Sequence, residues 1–286
     1  MKGAFLQADK FKLMVIDAHS HWSDLRWSQD VEHLAVRIQQ LKKRGIDFFM
    51  QAGVDPEDWN RQIKIHLKFP EAFGLCFGLH PYMVADYFKN NQQIQAEQAL
   101  DFLSQLLPKA MALGETGLDF REKILGTEKP EEAMAFQIEM FENQIQLAKA
   151  FQKPLVLHIV RAHEKALQVL QIWNKNYSGL VHAFTGSIET AEQYIKLGFL
   201  ISLGTAVTFK KNHKLHQCVK KIPLSSFVIE TDSPDQPPEG TEGLNQPENL
   251  LKVAEKIAEI RGISKEEVFS VTTENFKRVF PAKHFS

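Results

Sequence analysis

The stretch Val15-Ile16-Asp17-Ala18-His19-Ser20-His21 carries a short apolar run straight into two histidines spaced by one residue. The run at 15–18 has the length of a strand, and residues 31–44 downstream carry helical periodicity. This alternation of short apolar run, loop and longer helical stretch repeats along the chain. Further strands are expected at 48–52, 73–79, 110–113, 155–157, 180–183, 199–203 and 227–229. Helices are expected between them at 58–68, 94–107, 131–151, 162–173, 188–197, 211–220 and 247–260, with 264–280 closing the chain. Ser264 with Glu267 three residues on reads as a capping box for that last helix. Eight strand–helix units in 286 residues match the count and size of a barrel, whereas an open doubly wound sheet uses fewer strands. The expected fold is α/β, a single TIM-type (β/α)8 barrel. Residues 1–286 are expected to form one domain, because no Pro- or Gly-rich linker or low-complexity tract divides them.

Composition narrows the function classes. Thirty-four basic residues against 35 acidic ones leave a net charge of -1, so no whole-protein field draws the chain to nucleic acid or an anionic membrane. An anionic substrate has to be captured locally. The sequence shows no signal-peptide h-region and no apolar stretch near the ~18 residues of a membrane span, so a cytoplasmic protein is expected. Cys76 and Cys218 are too few and too far apart for a disulfide framework or a thiolate zinc site. P-loop, dinucleotide fingerprint and H-E-x-x-H are all missing, so nucleotide-driven, redox and zincin chemistry lack support. The clusters Lys42-Lys43-Arg44 and Lys210-Lys211-Asn212-His213-Lys214 read as solvated helix ends.

Residues two apart on a strand share a face, so His19 and His21 project together toward one end of the barrel. Asp17 shares that face and is a candidate to hold a ring nitrogen of one of them. Glu115 follows the fourth strand, His158 the fifth, His182 lies in the sixth and Asp232 follows the eighth. Taken singly, each has an ordinary reading as a core histidine, a loop carboxylate or an Asx turn. Together they deliver four imidazoles and two carboxylates to the C-terminal mouth, where catalytic residues of such barrels collect. Nitrogen and oxygen donors without thiolate suit divalent ions, and six donors exceed one tetrahedral shell, so two ions are expected. A neutral imidazole has one free lone pair and cannot bridge two ions, whereas a carboxylate can. Glu115, between the two histidine pairs in strand order, is the better bridge. Asp232 then takes the general-base role toward the attacking water, and Glu230, two residues earlier, can orient an imidazole.

These residues resemble the TatD family of metal-dependent deoxyribonucleases, within the amidohydrolase-like TIM barrels. The resemblance rests on Asp17-Ala18-His19-Ser20-His21, Gly78-Leu79-His80-Pro81, Gly114-Glu115-Thr116-Gly117-Leu118-Asp119, Pro154-Leu155-Val156-Leu157-His158, Val181-His182-Ala183-Phe184-Thr185-Gly186-Ser187 and Glu230-Thr231-Asp232-Ser233-Pro234. With Asn245-Gln246-Pro247 and Thr273-Glu274-Asn275 it extends from about residue 15 to 280. It implies His19, His21, Glu115 and Asp232 around one ion and Glu115, His158 and His182 around the other, with His80 binding phosphate. It also implies cleavage of DNA phosphodiesters with magnesium or manganese, zinc being able to occupy the site. Three departures bear on substrate choice. The arginine usual two places after the fifth-strand histidine is Val160 here, with Arg161 one place later as the substrate-binding candidate. A Cys-Phe-Ser-Gly is replaced by Ala183-Phe184-Thr185-Gly186, and the segment 235–245 is long and acidic with Leu244 before Asn245.

The expected activity is a two-metal hydrolase that cleaves DNA from strand ends, or a small phosphodiester, without an obligate protein partner or membrane. One rival is an amidohydrolase acting on a small amide, lactone or phosphoester. Many such enzymes bridge their ions with a modified lysine on strand four, and Lys109 precedes that strand, at the wrong end. The other rival is a metal-bearing binding scaffold without activity, for which a full ligand set plus a base has no evident use.

Overall fold

A computed structural model describes residues 14–27, 30–173 and 177–280. Eight parallel strands run through it: β1 Val15–Ser20, β2 Ile46–Gln51, β3 in two pieces at Phe73–Gly74 and Cys76–Phe77, β4 Ala112–Asp119, β5 Leu155–Val160, β6 Gly179–Val181, β7 Phe199–Leu203 and β8 Phe227–Ile229. Each pairs with the next in sequence, β1 to β2 to the first piece of β3, and its second piece through β4 to β8. Hydrogen bonds also cross from β8 back to β1. Asp232 N–H donates to His19 O (3.0 Å), and the Thr231 N–H and hydroxyl donate to the Asp17 carboxylate at 2.9 and 2.6 Å. That seam brings the last strand back against the first and curves the strands into a barrel.

Helices cover the outside. The barrel interior is filled by Ile16, Phe48, Met50, Cys76, Met111, Ala112, Val156, Leu180, Leu200 and Val228, and the helix Lys265–Val279 adds Phe276 beneath them. The opposite strand face packs on the helices in a larger cluster that includes Phe49, Leu113, Leu157, Val181 and Ile229. Buried on both faces, these strands carry continuous apolar runs, as parallel sheets do. The two cysteines are free and buried. Among the described residues no helix is long and apolar enough to cross a membrane.

Expected helices recur with ends displaced by a residue or two, such as Val31–Lys43 and Pro130–Ala150. The Ser264 hydroxyl accepts from Glu267 N–H at 3.1 Å, as the capping box requires. Two of the differences bear on the site. The helix Pro81–Lys89 was not expected, because its N-cap is His80, whose ring takes the place of the usual hydroxyl or carboxylate. Strand β4 continues to Asp119, whereas the expected strand stopped at residue 113. Glu115 therefore lies within a strand, at a register shift between Gly114 and Thr116. The glycines here serve close approach. A Cβ on Gly114 would lie 2.5 Å from Val156 Cβ, and one on Gly53 would lie 2.5 Å from Gly114 O. With those atoms missing, Glu115 N–H reaches Gly53 O at 2.9 Å and the backbone is drawn to the barrel mouth.

Candidate metal centre

All six expected donors converge at the C-terminal mouth, beside a cavity of about 500 Å³ lined by His21, Glu115, His158, His182 and Asp232 among others. His19 and Glu115 are 1% exposed, His182 and Asp232 6%, which puts ionisable groups where only strong mutual interactions can hold them.

The two oxygens of Glu115 divide the donors into two sets. Around Oε1 stand His19 Nε2 (3.5 Å) and His21 Nε2 (3.4 Å), with Asp232 Oδ1 at 3.5 and 3.2 Å from the same two nitrogens. Around Oε2 stand His182 Nε2 (2.8 Å), His158 Nδ1 (3.3 Å) and His80 Nε2 (3.6 Å). His19 and His182 stack at 4.1 Å between the sets. His19 Nε2 and Glu115 Oε1 are buried and make no hydrogen bond.

Electrostatics describe a pocket that demands positive charge. Burial alone would raise the Glu115 carboxyl, yet His182 and His19 outweigh it and hold the group well below its usual range. Burial likewise opposes protonation of His21, and the carboxylates of Asp232 and Glu115 overcome that and raise it to about 9. His182 is raised well above its ordinary value against the same burial penalty. Protons on these rings occupy the positions that divalent cations compete for, so ion binding must release protons.

His80 sits among the Oε2 donors, but its tautomer removes it from the ligand set. Its Nδ1 accepts the Tyr82 N–H at 3.1 Å, and burial with neighbouring His158 pushes its pKa well below the ordinary value. A neutral ring that accepts at Nδ1 carries its proton on Nε2, and that N–H stands 3.2 Å from His158 Nδ1 beside the cavity. That geometry suits an oxyanion better than a metal.

The far nitrogens explain how the rings are aimed. His158 Nε2 lies 3.3 Å from Asp119 Oδ2, and Arg121 clasps Asp119 through Nε at 2.8 and 2.9 Å and through Nη2. His182 Nδ1 lies 3.8 Å from Glu230, whose carboxylate also accepts the Ala183 N–H and the Ser202 hydroxyl. Asp232 Oδ2 accepts Gln236 Nε2 at 2.6 Å, which leaves Oδ1 for the site.

Two sequence expectations change. Asp17 does not hold an imidazole: its oxygens accept from Thr231 and from the His19 backbone N–H at 3.3 Å, so it stitches the seam. Arg161, expected to bind substrate, is exposed with φ 55° and lies outside the residues lining the cavity. Val160 lines it, and the chain turns away one residue later. Arginine at the mouth comes instead from Arg121 and Arg26, the latter gripping Asp24 and Asp235 at 2.7 Å each. Asp119, Arg121, Tyr82 and Gln236 escaped the sequence reading. A strand read through to residue 119 would have placed Asp119 on the face of Glu115.

Comparisons with known proteins agree with this geometry. The family described as TatD related DNase matches residues 16–281. The uncharacterized metal-dependent hydrolase YabD of Bacillus subtilis is 32% identical over 271 residues, 93% of this chain and 99% of that protein. Human deoxyribonuclease TATDN3 is 28% identical, covering 93% of this chain and 94% of its own. The crystal structure of YJJV, a TatD homolog from Escherichia coli, superposes with a TM-score of 0.81 at 27% identity, over 94% of this chain and 98% of that one. A fold that carries the donors to one mouth, a donor set that calls for divalent cations and a family match over nearly the whole chain have one outcome: the protein belongs to the TatD family of metal-dependent hydrolases.

Proposed function

We propose that the protein hydrolyses DNA phosphodiesters at strand ends, using two divalent ions (magnesium, manganese or zinc) bridged by Glu115, with Asp232 as general base. The observation that carries this reading is the division of donors between the two Glu115 oxygens, each set being completed by side chains whose other atoms are already held. Lys109 stands exposed just before β4, so the bridging place belongs to Glu115 and not to a modified lysine.

When bound, two such ions polarise the phosphoryl group and lower the pKa of the attacking water toward ~7. The chain supplies the remainder. The His19 and His21 imidazoles beside it hold the Asp232 carboxyl well below its usual range despite burial, so it is ionised at neutral pH. Its Oδ1 is the atom placed to take the proton from the attacking water, because Oδ2 is occupied by Gln236. His80 Nε2–H donates to a phosphoryl oxygen on the Oε2 side. End selectivity follows from recess and charge. The donors are buried below the loops, and both lining arginines are already paired to aspartates, which leaves few cations to grip a duplex backbone.

The test compares a linear single-stranded oligonucleotide, its circular form and a blunt duplex, with magnesium, manganese or zinc and after chelation. Fastest turnover of the linear strand, about two ions per chain and loss of activity on chelation are expected. Rapid cutting of the circle would overturn end selectivity. Inactivity on every phosphodiester with turnover of an amide or lactone would replace the proposal with the amidohydrolase reading.

A further inference from the structure

We infer that Tyr82 forms a base-stacking subsite beside the phosphate position, which makes the preferred substrate a phosphodiester flanked by a nucleobase on the His80 side. This rests on the deoxyribonuclease reading above. Tyr82 is 38% exposed, and it lines the same cavity as Glu115 and His158. The ring is not placed at random. Tyr82 is the second residue of the helix Pro81–Lys89, its N–H is committed to His80 Nδ1, and its ring centroid lies 4.2 Å from that of His80 at 44°.

One structural unit therefore presents two groups with different chemistry. His80 brings to the cavity an Nε2–H that stands 3.2 Å from His158 Nδ1 and that a phosphoryl oxygen can take over as acceptor, and Tyr82 turns an aromatic surface to solvent beside it. A nucleotide carries an anion and a flat π surface side by side in the same way, so one residue pair matches both halves. Val54, whose carbonyl accepts the His80 N–H at 3.0 Å, lines the cavity with them and adds an apolar contact. Stacking is tolerant of base identity, since every base has a π face. The subsite therefore recognises that a base is present and not which one.

The experiment measures KM and kcat with manganese for a single-stranded oligonucleotide and for the same strand with an abasic terminal residue, on wild type, Tyr82→Phe, Tyr82→Trp and Tyr82→Ala. Removing the base should raise the wild-type KM about tenfold, the value of one modest aromatic stack. Tyr82→Phe and Tyr82→Trp should keep that difference and Tyr82→Ala should abolish it. Equal KM for the two strands on wild type overturns the subsite while leaving the deoxyribonuclease reading intact, and this comparison needs no variant to fold. A difference that survives in Tyr82→Ala overturns the assignment to Tyr82. Failure of wild type to cut either strand overturns the deoxyribonuclease reading and the subsite with it.

Discussion

The donors on the Oε1 side of Glu115 come from β1 and β8, the two strands that close the barrel, whereas those on the Oε2 side lie in β5 and just after β6, in the middle of the sheet, with His80 after β3 beside them. The two sides are aimed by different means. On the Oε2 side two imidazoles meet their own partner at the far nitrogen, Asp119 for His158 and the Tyr82 N–H for His80, and His182 Nδ1 faces Glu230 at 3.8 Å without a hydrogen bond. On the Oε1 side the backbone does most of the aiming. His21 N–H donates to Ser233 O at 2.8 Å, Asp232 N–H to His19 O at 3.0 Å, and Asp17 ties Thr231 across the same seam. A site can thus be made rigid by side chains that orient ligands one at a time or by using the fold's own closure. Damage should stay local in the first case and spread into folding in the second.

Glu115 belongs to both sides, so its removal has the largest effect. Glu115→Ala should lose both ions and lower activity by about a thousandfold or more, since each set loses the oxygen around which it converges. Elemental analysis of the purified variant measures this, and retention of two ions would deny the bridge. Next comes Asp232→Asn, which separates holding an ion from accepting a proton. The amide still presents an oxygen but takes no proton at neutral pH, so kcat should fall about 10²- to 10⁴-fold while most metal remains. Turnover near the wild-type rate would place the base elsewhere.

The contrast between the two sides also marks what the sequence could reveal. The eight strands were legible because buried parallel strands are short apolar runs, and the six donors because each ends or follows such a run. Orienting groups were harder to read. Asp119 was hidden by Gly114 and Gly117, which suggest a turn but permit strands to approach closely. The Glu230 position beside His182 was foreseeable from strand alternation, while Asp17 has the same alternation and binds backbone instead. Nothing in the local pattern distinguishes those two outcomes; the seam does, and it joins residues more than two hundred positions apart. Arg161 illustrates the same limit at a strand exit, where one residue decides whether a side chain faces the cavity or the solvent.

The Oε2 side offers a finer test of independent orientation. Asp119→Asn should weaken one of the two ions, or activity, about 10- to 100-fold, the usual consequence of losing a carboxylate behind a liganding imidazole. Glu230→Gln should cost less, because Glu230 stands 3.8 Å from His182 Nδ1 and divides its hydrogen bonds with Ala183 and Ser202. Metal titration followed by calorimetry would show one site shifted and the other unchanged. Equal weakening of both sites by Asp119→Asn would mean that the two sides are not oriented separately.

The smallest expected effect concerns Gln236, which orients a donor on the Oε1 side from outside the seam. Its Nε2 donates to Asp232 Oδ2 at 2.6 Å, and its own carbonyl is fixed by the Thr205 hydroxyl and by Asn245 Nδ2, so the loop after β8 holds the donor in place. Gln236→Leu keeps the size and removes the donor. Asp232 keeps its contacts with His19 and His21, so metal content should stay near that of the wild type. The free Oδ2 then lets the carboxylate turn, and Oδ1 spends less time facing the attacking water. A hydrogen bond to a charged acceptor is worth about 1.5–3 kcal/mol, and part of it is recovered by water entering the partly open loop, so a fall of about tenfold in kcat is expected. KM should change little, because Gln236 orients the base and leaves the His80 donor untouched. Loss of metal in Gln236→Leu would show that the loop supports ligation instead of proton transfer, and an unchanged kcat would show that the backbone seam alone is enough to aim Asp232.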